Sequence, residues 1–502
     1  MLDKSSPTGT QSGAEFDAIL KRKRSVIDLL VANGTVITLD AERRVVENGA
    51  VAISGDRIVD VGPFETITGR HDAARTIDAR GKAVIPGLID VHAHAGHGLI
   101  KTMGGGRTDW WYEACEKAYT VGSTEEFWYA ESRLAALERL RFGVTTGVSL
   151  LGGGDTILRT DEPAYGAAHC AGVVSVGTRS IVAVGSTRPP FPRTYARWSE
   201  TGKREYPVAF ETQLATCRAL IDRWHGTHGD RVRIALITPT LRAEHQTGDP
   251  VLLAEALAQA KAVRALSRER GVIFTQDGHT KGSVAFAYAN GLLGPDALLS
   301  HATDLTDEEI RICADTGSPV AHNPSAIASV TGRCPVPELI EAGALVALGS
   351  DATAPDRSGD MFRHMQQCMH YHRRHFRDAN VLPPGRVLEM CTRDGARALG
   401  LESQIGSLER GKKADVVLVD LRRPHLYPAN MPASRIVNFA NGNDVDTVIV
   451  DGVVALENRM ATLVDEDQIL DEAQRETDRM VDRLGLRHML EMPETFWRNV
   501  RG

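Results

Sequence analysis

Two histidines one residue apart, His92 and His94, follow an apolar run that starts at Ala83 and passes through Pro86-Gly87-Leu88-Ile89-Asp90-Val91. In an extended strand, residues i and i+2 share a face. Both imidazoles can therefore project to one point, and two imidazoles at one point suit a borderline divalent metal. Four later apolar runs end in comparable groups. The run 271–276 leads into Asp277-Gly278-His279, Leu298-Leu299-Ser300 into His301, Pro319-Val320-Ala321 into His322, and 345–350 into Asp351. One such residue is ordinary core chemistry; several together point to a shared metal site. His97, three residues beyond His94 in the following loop, reads as a group that touches substrate or supports the ligands.

The elements that must position these residues alternate along 82–401. Strand patterns over 83–91, 143–150, 173–184, 231–238, 271–276, 297–302, 318–322 and 344–351 are interleaved with helical spacing over 125–141, 209–224, 251–270, 307–316 and 361–375. Eight strands alternating with helices fit an α/β chain built as a (β/α)8 barrel, although a doubly wound open sheet would also alternate. A barrel gathers functional groups at the C-terminal ends of its strands, where the histidines and Asp351 lie. Short hairpin-like strands near both ends, with turns at Asn33-Gly34, Gly55-Asp56 and Asp451-Gly452, suggest a small β domain made from 25–81 plus 402–464. Residues 1–24 read as a loosely held arm and 465–502 as a helical segment.

Other motifs have weaker claims. Trp110 and Trp111, with Tyr112 beside them, could wall an apolar or aryl pocket. Arg188, after the third strand, could hold a polar group of a substrate. Gly152-Gly153-Gly154 lacks phosphate-loop and dinucleotide spacing and reads as a tight turn. His364, His370, His372 and His375 crowd one helix, but residues 370 and 372 do not share a helix face. That segment reads as a solvated or interface helix. No Gly-x-Ser-x-Gly nucleophile elbow is present.

The 502 residues carry 58 Lys and Arg against 65 Asp and Glu, a formal charge of −7, which disfavours a nucleic-acid-binding role. Seven isolated cysteines without a Cys-x-x-Cys pair read as reduced thiols, and so as a cytoplasmic chain. No apolar stretch reaches the roughly 18 residues of a membrane span. The expected partner is a small molecule, with neither nucleic acid nor membrane.

The string from Pro86 to His94 resembles the first metal motif of the amidohydrolase superfamily. The resemblance extends through Ser300-His301-Ala302, Ala321-His322-Asn323-Pro324, Leu348-Gly349-Ser350-Asp351 and residues 405–420, and covers about 26–460. It implies a distorted TIM barrel with a small β-sandwich domain, metal-dependent hydrolysis, and a homo-oligomer, dimer or tetramer. The branch resembled holds triazine chlorohydrolases and guanine and cytosine deaminases. There the fifth strand carries a His ligand, followed three residues later by a proton-shuttling Glu; here Gln276 and His279 stand in those places. The resemblance then implies His92, His94, His279 and Asp351 around one divalent ion, zinc first, with iron, cobalt or manganese as alternatives. The fourth strand ends in Thr238-Pro239-Thr240 without the Lys that bridges two ions in binuclear relatives. Such an ion would lower the pKa of water toward about 7. Asp351 would accept the water's proton and His301 would orient the water, polarise the carbonyl or bind a second metal. His322 would donate to the carbonyl or protonate the leaving amine, and Gln276 would turn to the substrate. The missing Glu makes the pattern similar to phenylurea hydrolases and molinate hydrolase. The expected reaction is therefore cleavage of an amide, urea or carbamate-type C–N bond in a small, aryl-bearing molecule. The alternatives are a hydrolytic deaminase of an amino-heterocycle, and a metal-free scaffold like the dihydropyrimidinase-related proteins.

Overall fold

The computed structural model describes residues 24–103, 108–154, 157–242, 248–326, 332–354, 357–492 and 494–497. The expected arm, 1–24, lies outside the described residues except for Arg24. Eight parallel strands follow one another around a single sheet in chain order: β1 (Leu88–Asp90), β2 (Val144–Leu150), β3 (Arg179–Gly185), β4 (Val232–Pro239), β5 (Phe274–Asp277), β6 (Ala297–Ser300), β7 (Val320–His322) and β8 (Val346–Leu348). The ends of the sheet meet just beyond β1 and β8. There Val91 N donates to Leu348 O at 3.2 Å and Asp351 N donates to His92 O at 2.9 Å. The fold is a distorted TIM barrel.

Side-chain alternation divides the core into two layers, as a strand period of two requires. Ile89, Val148, Ile181, Ala235, Leu298 and Ala321 pack together inside the barrel. Leu88, Val182, Leu236, Phe274, Val320 and Val346 face the surrounding helices. Local sequence sets where those helices begin and end. Before Asp307–Thr316, the Thr306 hydroxyl accepts from Glu309 N at 3.2 Å, Glu309 accepts in return from Thr306 N at 3.2 Å, and Gly317 ends the helix at φ +66°.

Two expected strands are cut differently. The run 83–91 divides into Lys82–Pro86, which belongs to the other sheet, and β1. Pro86 has no N–H to give, and Gly87 lies so near Thr145 that a Cβ would approach its hydroxyl to 2.0 Å; the chain crosses between sheets where it carries no side chain. The run 173–184 begins inside helix Pro163–Val176, which Gly177 terminates at φ +93° before β3 starts.

Strands from both chain ends form a second, nine-stranded sheet. Its central pairing joins Lys82–Pro86 to Val416–Asp420, antiparallel, so the N-terminal strands continue directly into the C-terminal ones. Helix Glu466–Leu484 then packs on helix Glu125–Arg141. Among the described residues, no helix is long and apolar enough to cross a membrane. All seven cysteines are buried free thiols.

Candidate active site

At the C-terminal mouth of the barrel, His92, His94, Asp277, His301 and Asp351 converge. His94 Nε2 lies 3.0 Å from Asp351 Oδ1 and 3.6 Å from Asp277 Oδ2. His92 Nε2 lies 3.3 Å from one oxygen of each carboxylate, and His301 Nε2 lies 3.0 Å from Asp277 Oδ1 and 3.9 Å from Asp351 Oδ1. His92 and His301 are buried, and among the described residues neither ring nitrogen of His92 has a hydrogen-bond partner.

Surrounding groups fix these orientations. His94 Nδ1 is 2.8 Å from Gly152 O; donating there leaves the Nε2 lone pair aimed at the cluster. Gly152 sits at φ +151°, and a Cβ would meet Ile157 O at 2.0 Å, so the glycine run is the tight turn that presents this carbonyl. Asp90, fully buried, accepts from Ser350 N at 2.9 Å, from Ser350 Oγ at 2.7 Å and from Arg139 Nη2 at 3.3 Å, tying β1 to the segment carrying Asp351. Arg357 Nε, 3.2 Å from Asp351 Oδ2, leaves Oδ1 toward the imidazoles. The Asn323 amide lies 3.5 Å from His301 Nδ1.

The electrostatics of the cluster call for a cation. Burial opposes charge on both carboxylates, yet the adjacent imidazoles hold Asp277 and Asp351 well below the ordinary range. Burial likewise lowers the His92 pKa, but Asp277 and Asp351 outweigh it and raise it to about 10. Two carboxylates and three imidazoles converging on one point are the donor set of a divalent metal ion, which would take the place of the protons held there, and the residues fit one.

The structure corrects several expected roles. Asp277 joins His92 and His94 at the cluster, a place that the sequence pattern assigns to His279. Ile273 packs inside the barrel and Phe274 outside it, so alternation turns Asp277 inward and Gln276 outward. Gln276 donates from Nε2 to Pro239 O at 3.1 Å and takes no place at the pocket. Gly278, at φ +82°, bends the chain, and His279 lies buried beside Ser283, its Nδ1 2.8 Å from Ser283 Oγ. That hydroxyl already donates to Thr280 O at 2.6 Å, so His279 Nδ1 must donate and its Nε2 keeps a lone pair. Burial first, then the nearby Arg242 and His301, lowers the His279 pKa to about 3. His322 shares the outward face of Val320, and its ring lies 5.4 Å from that of His372 in helix Met361–Phe376. Its ring is turned toward that helix, and it is not among the residues lining the cavity over the cluster. That helix is no solvated one on this side: His364, Cys368 and His372 are buried, whereas His370 and His375 are exposed.

The other expected contacts divide. His97 is buried and stacks on His94 at 4.6 Å, with Nδ1 2.7 Å from Tyr119 Oη; burial holds its pKa well below the usual value, so it supports His94 as a neutral ring. Trp111 meets His97 edge-on at 5.1 Å and lines a cavity of about 380 Å³ over the cluster. Trp110 instead packs on His488 at 5.4 Å. Arg188 lines the same cavity, with Nη2 3.0 Å from Thr240 O. Arg242 and Arg357, missed in the sequence, line it too; both sit in loops with no periodic signal.

Known proteins resemble this chain over most of its length. The chain is 31% identical over 461 residues to a 5-methylthioadenosine/S-adenosylhomocysteine deaminase of Syntrophobacter fumaroxidans, covering 88% of this chain and 96% of that protein. It is 29% identical over 464 residues to a 5'-deoxyadenosine deaminase of Methanosarcina mazei, covering 91% and 99%. A zinc-bound adenosine deaminase of Xanthomonas campestris superposes with a TM-score of 0.77 at 24% identity, covering 91% of this chain and all of that one. A model of an imidazolonepropionase-like composite domain of bacteria matches residues 49–74, and the amidohydrolase family model matches 83–455, the barrel and most of the C-terminal strands. A barrel mouth carrying this donor set, inside a match of that length, makes the chain a member of the amidohydrolase family, a metal-dependent hydrolase of carbon–nitrogen bonds.

Proposed function

We propose that the protein is a hydrolytic deaminase of an amino-substituted heterocycle, of the 6-aminopurine nucleoside kind. The observation that carries this reading is the near full-length similarity to deaminases named for methylthioadenosine and deoxyadenosine. It displaces amide, urea or carbamate cleavage as the first reading and takes up the alternative that the sequence left open.

His92, His94, Asp277 and Asp351 would hold one divalent ion, with His301 beside it and zinc favoured by the zinc-bound structural neighbour. Bound there, it supplies a Lewis acid that makes water nucleophilic at neutral pH. Asp351 accepts the proton of the attacking water at Oδ1, the oxygen that Arg357 leaves open, and returns it to the departing amino group. His301 orients the water from Nε2. Trp111 excludes solvent on one side of the cavity, and Arg188 positions a polar part of the substrate. His279, where branch members carry a Glu, is neutral and donates to Ser283, so it takes no part in this relay.

The missing Glu favours the second reading, cleavage of a urea- or carbamate-type bond. One assay separates the two. Metal-replete protein is offered 5'-methylthioadenosine, 5'-deoxyadenosine and S-adenosylhomocysteine beside anilides, phenylureas and carbamates, with products read by mass spectrometry. Ammonia release with the purine ring kept is expected. Release of a larger amine from the second group, with the aminopurines untouched, would overturn the deaminase reading.

A further inference from the structure

On the outer side of β7, at its C-terminal end, His322 faces Cys368 and His372 of helix Met361–Phe376. One donor atom from each of the three lies within 4.8 Å of the others, and all three side chains are fully buried. Residues 368 and 372 are one helical turn apart and share a face, and the strand alternation that takes His322 out of the lumen delivers it to that face.

Among the described residues, none of the four ring nitrogens of His322 and His372 has a hydrogen-bond partner. A buried neutral imidazole carries one N–H and one lone pair; leaving either without a partner is costly. His364, one turn earlier on the same face, shows what this helix does with a histidine that is merely packed. Its Nε2 donates to Ser358 O at 2.7 Å, and its Nδ1 lies 3.2 Å from Ser325 Oγ. Arg333 and Glu338, the charged groups near His372, are paired with each other.

We propose that His322, Cys368 and His372 form a second, structural metal site for a borderline-soft ion such as Zn²⁺, separate from the cluster in the barrel mouth. Two imidazoles and a thiolate are a zinc-type donor set, softer than the imidazoles and carboxylates at the mouth. Binding sends the thiol proton to solvent and clamps helix Met361–Phe376 to β7.

Cobalt substitution tests this independently of the reaction catalysed. The chelated protein is refilled with Co²⁺, and its absorption and metal content are measured. The mouth cluster contains no thiolate, so a thiolate-to-cobalt charge-transfer band in the near ultraviolet can come only from a cysteine-containing site. The expected result is about two ions per chain with that band. Cys368→Ser is expected to remove the band and one ion; His94→Ala is expected to remove one ion and keep the band. Two ions without the band would place the second ion in the mouth and overturn the proposal. So would one ion per chain in folded wild-type protein refilled with excess Co²⁺, or a band that survives Cys368→Ser in protein with unchanged circular dichroism.

Discussion

At the scale of single residues, the mouth cluster turns on Asp277. Its carboxylate is within 3.0–3.6 Å of all three imidazoles, whereas His279, two residues on, spends its Nδ1 on Ser283. Asp277→Ala is therefore expected to lower metal content as far as His92→Ala does, while His279→Ala keeps it. Metal analysis of the three purified variants checks this, and a His279→Ala protein as empty as the His92 variant would restore His279 as a ligand. The i, i+2 rule that made His92 and His94 legible applies equally to Ile273 and Asp277, four residues apart on one face. Asp277, between Gln276 and His279, carries no motif signal of its own in the sequence. His322 shows the limit of strand-end position as a signal: Ala321 fills the lumen and its neighbour faces outward.

At the scale of elements, the sequence shows periodic segments well and the joints between them badly. The eight barrel strands were each legible as an apolar run, but no period marks Gly87 as the crossing between sheets or Gly177 as the end of a helix. Ionic joints between elements are equally hidden, because their partners are far apart in sequence. Glu389, buried in helix Pro384–Met390, meets Arg43 Nε at 2.6 Å and Arg386 Nη1 at 3.1 Å. Burial raises the Glu389 pKa, but these two arginines outweigh it, and the folded value lies below the ordinary one. A carboxyl whose pKa is depressed on folding stabilises the folded state above its unfolded pKa of about 4.3 and loses that contribution as pH falls through the folded value. Wild type is thus expected to lose stability over Glu389→Gln as pH drops from about 5 toward 3, with the variant already weakened at neutral pH. Melting temperatures of both proteins across that range measure it; parallel curves would remove Glu389 from the account.

At the scale of the whole molecule, the question is what holds the two sheets in one body. Arg179, the first residue of β3, is almost fully buried at the barrel floor. It bonds Asp415 and Asp451 of the C-terminal strand region at 2.5 Å each, and Lys413 Nζ adds a contact of 3.0 Å to Asp451. Asp415 also accepts from Asp451 N at 3.0 Å, so the network sets the turn between two strands as well as the docking. Such a network is costly to desolvate, and replacing all of it with apolar groups can be neutral. Removing one member is another matter, since Asp415 and Asp451 would stay buried beside each other without their main counter-charge. Arg179→Met is expected to destabilise the protein by about 3–5 kcal/mol. Because β3 runs from this floor to the opposite mouth, the variant that remains folded at low temperature is expected to keep its mouth metal. Chemical denaturation and metal analysis on the same preparation test both halves. A variant that loses its metal while keeping its unfolding midpoint would show that the floor network sets the geometry of the mouth rather than the union of the sheets.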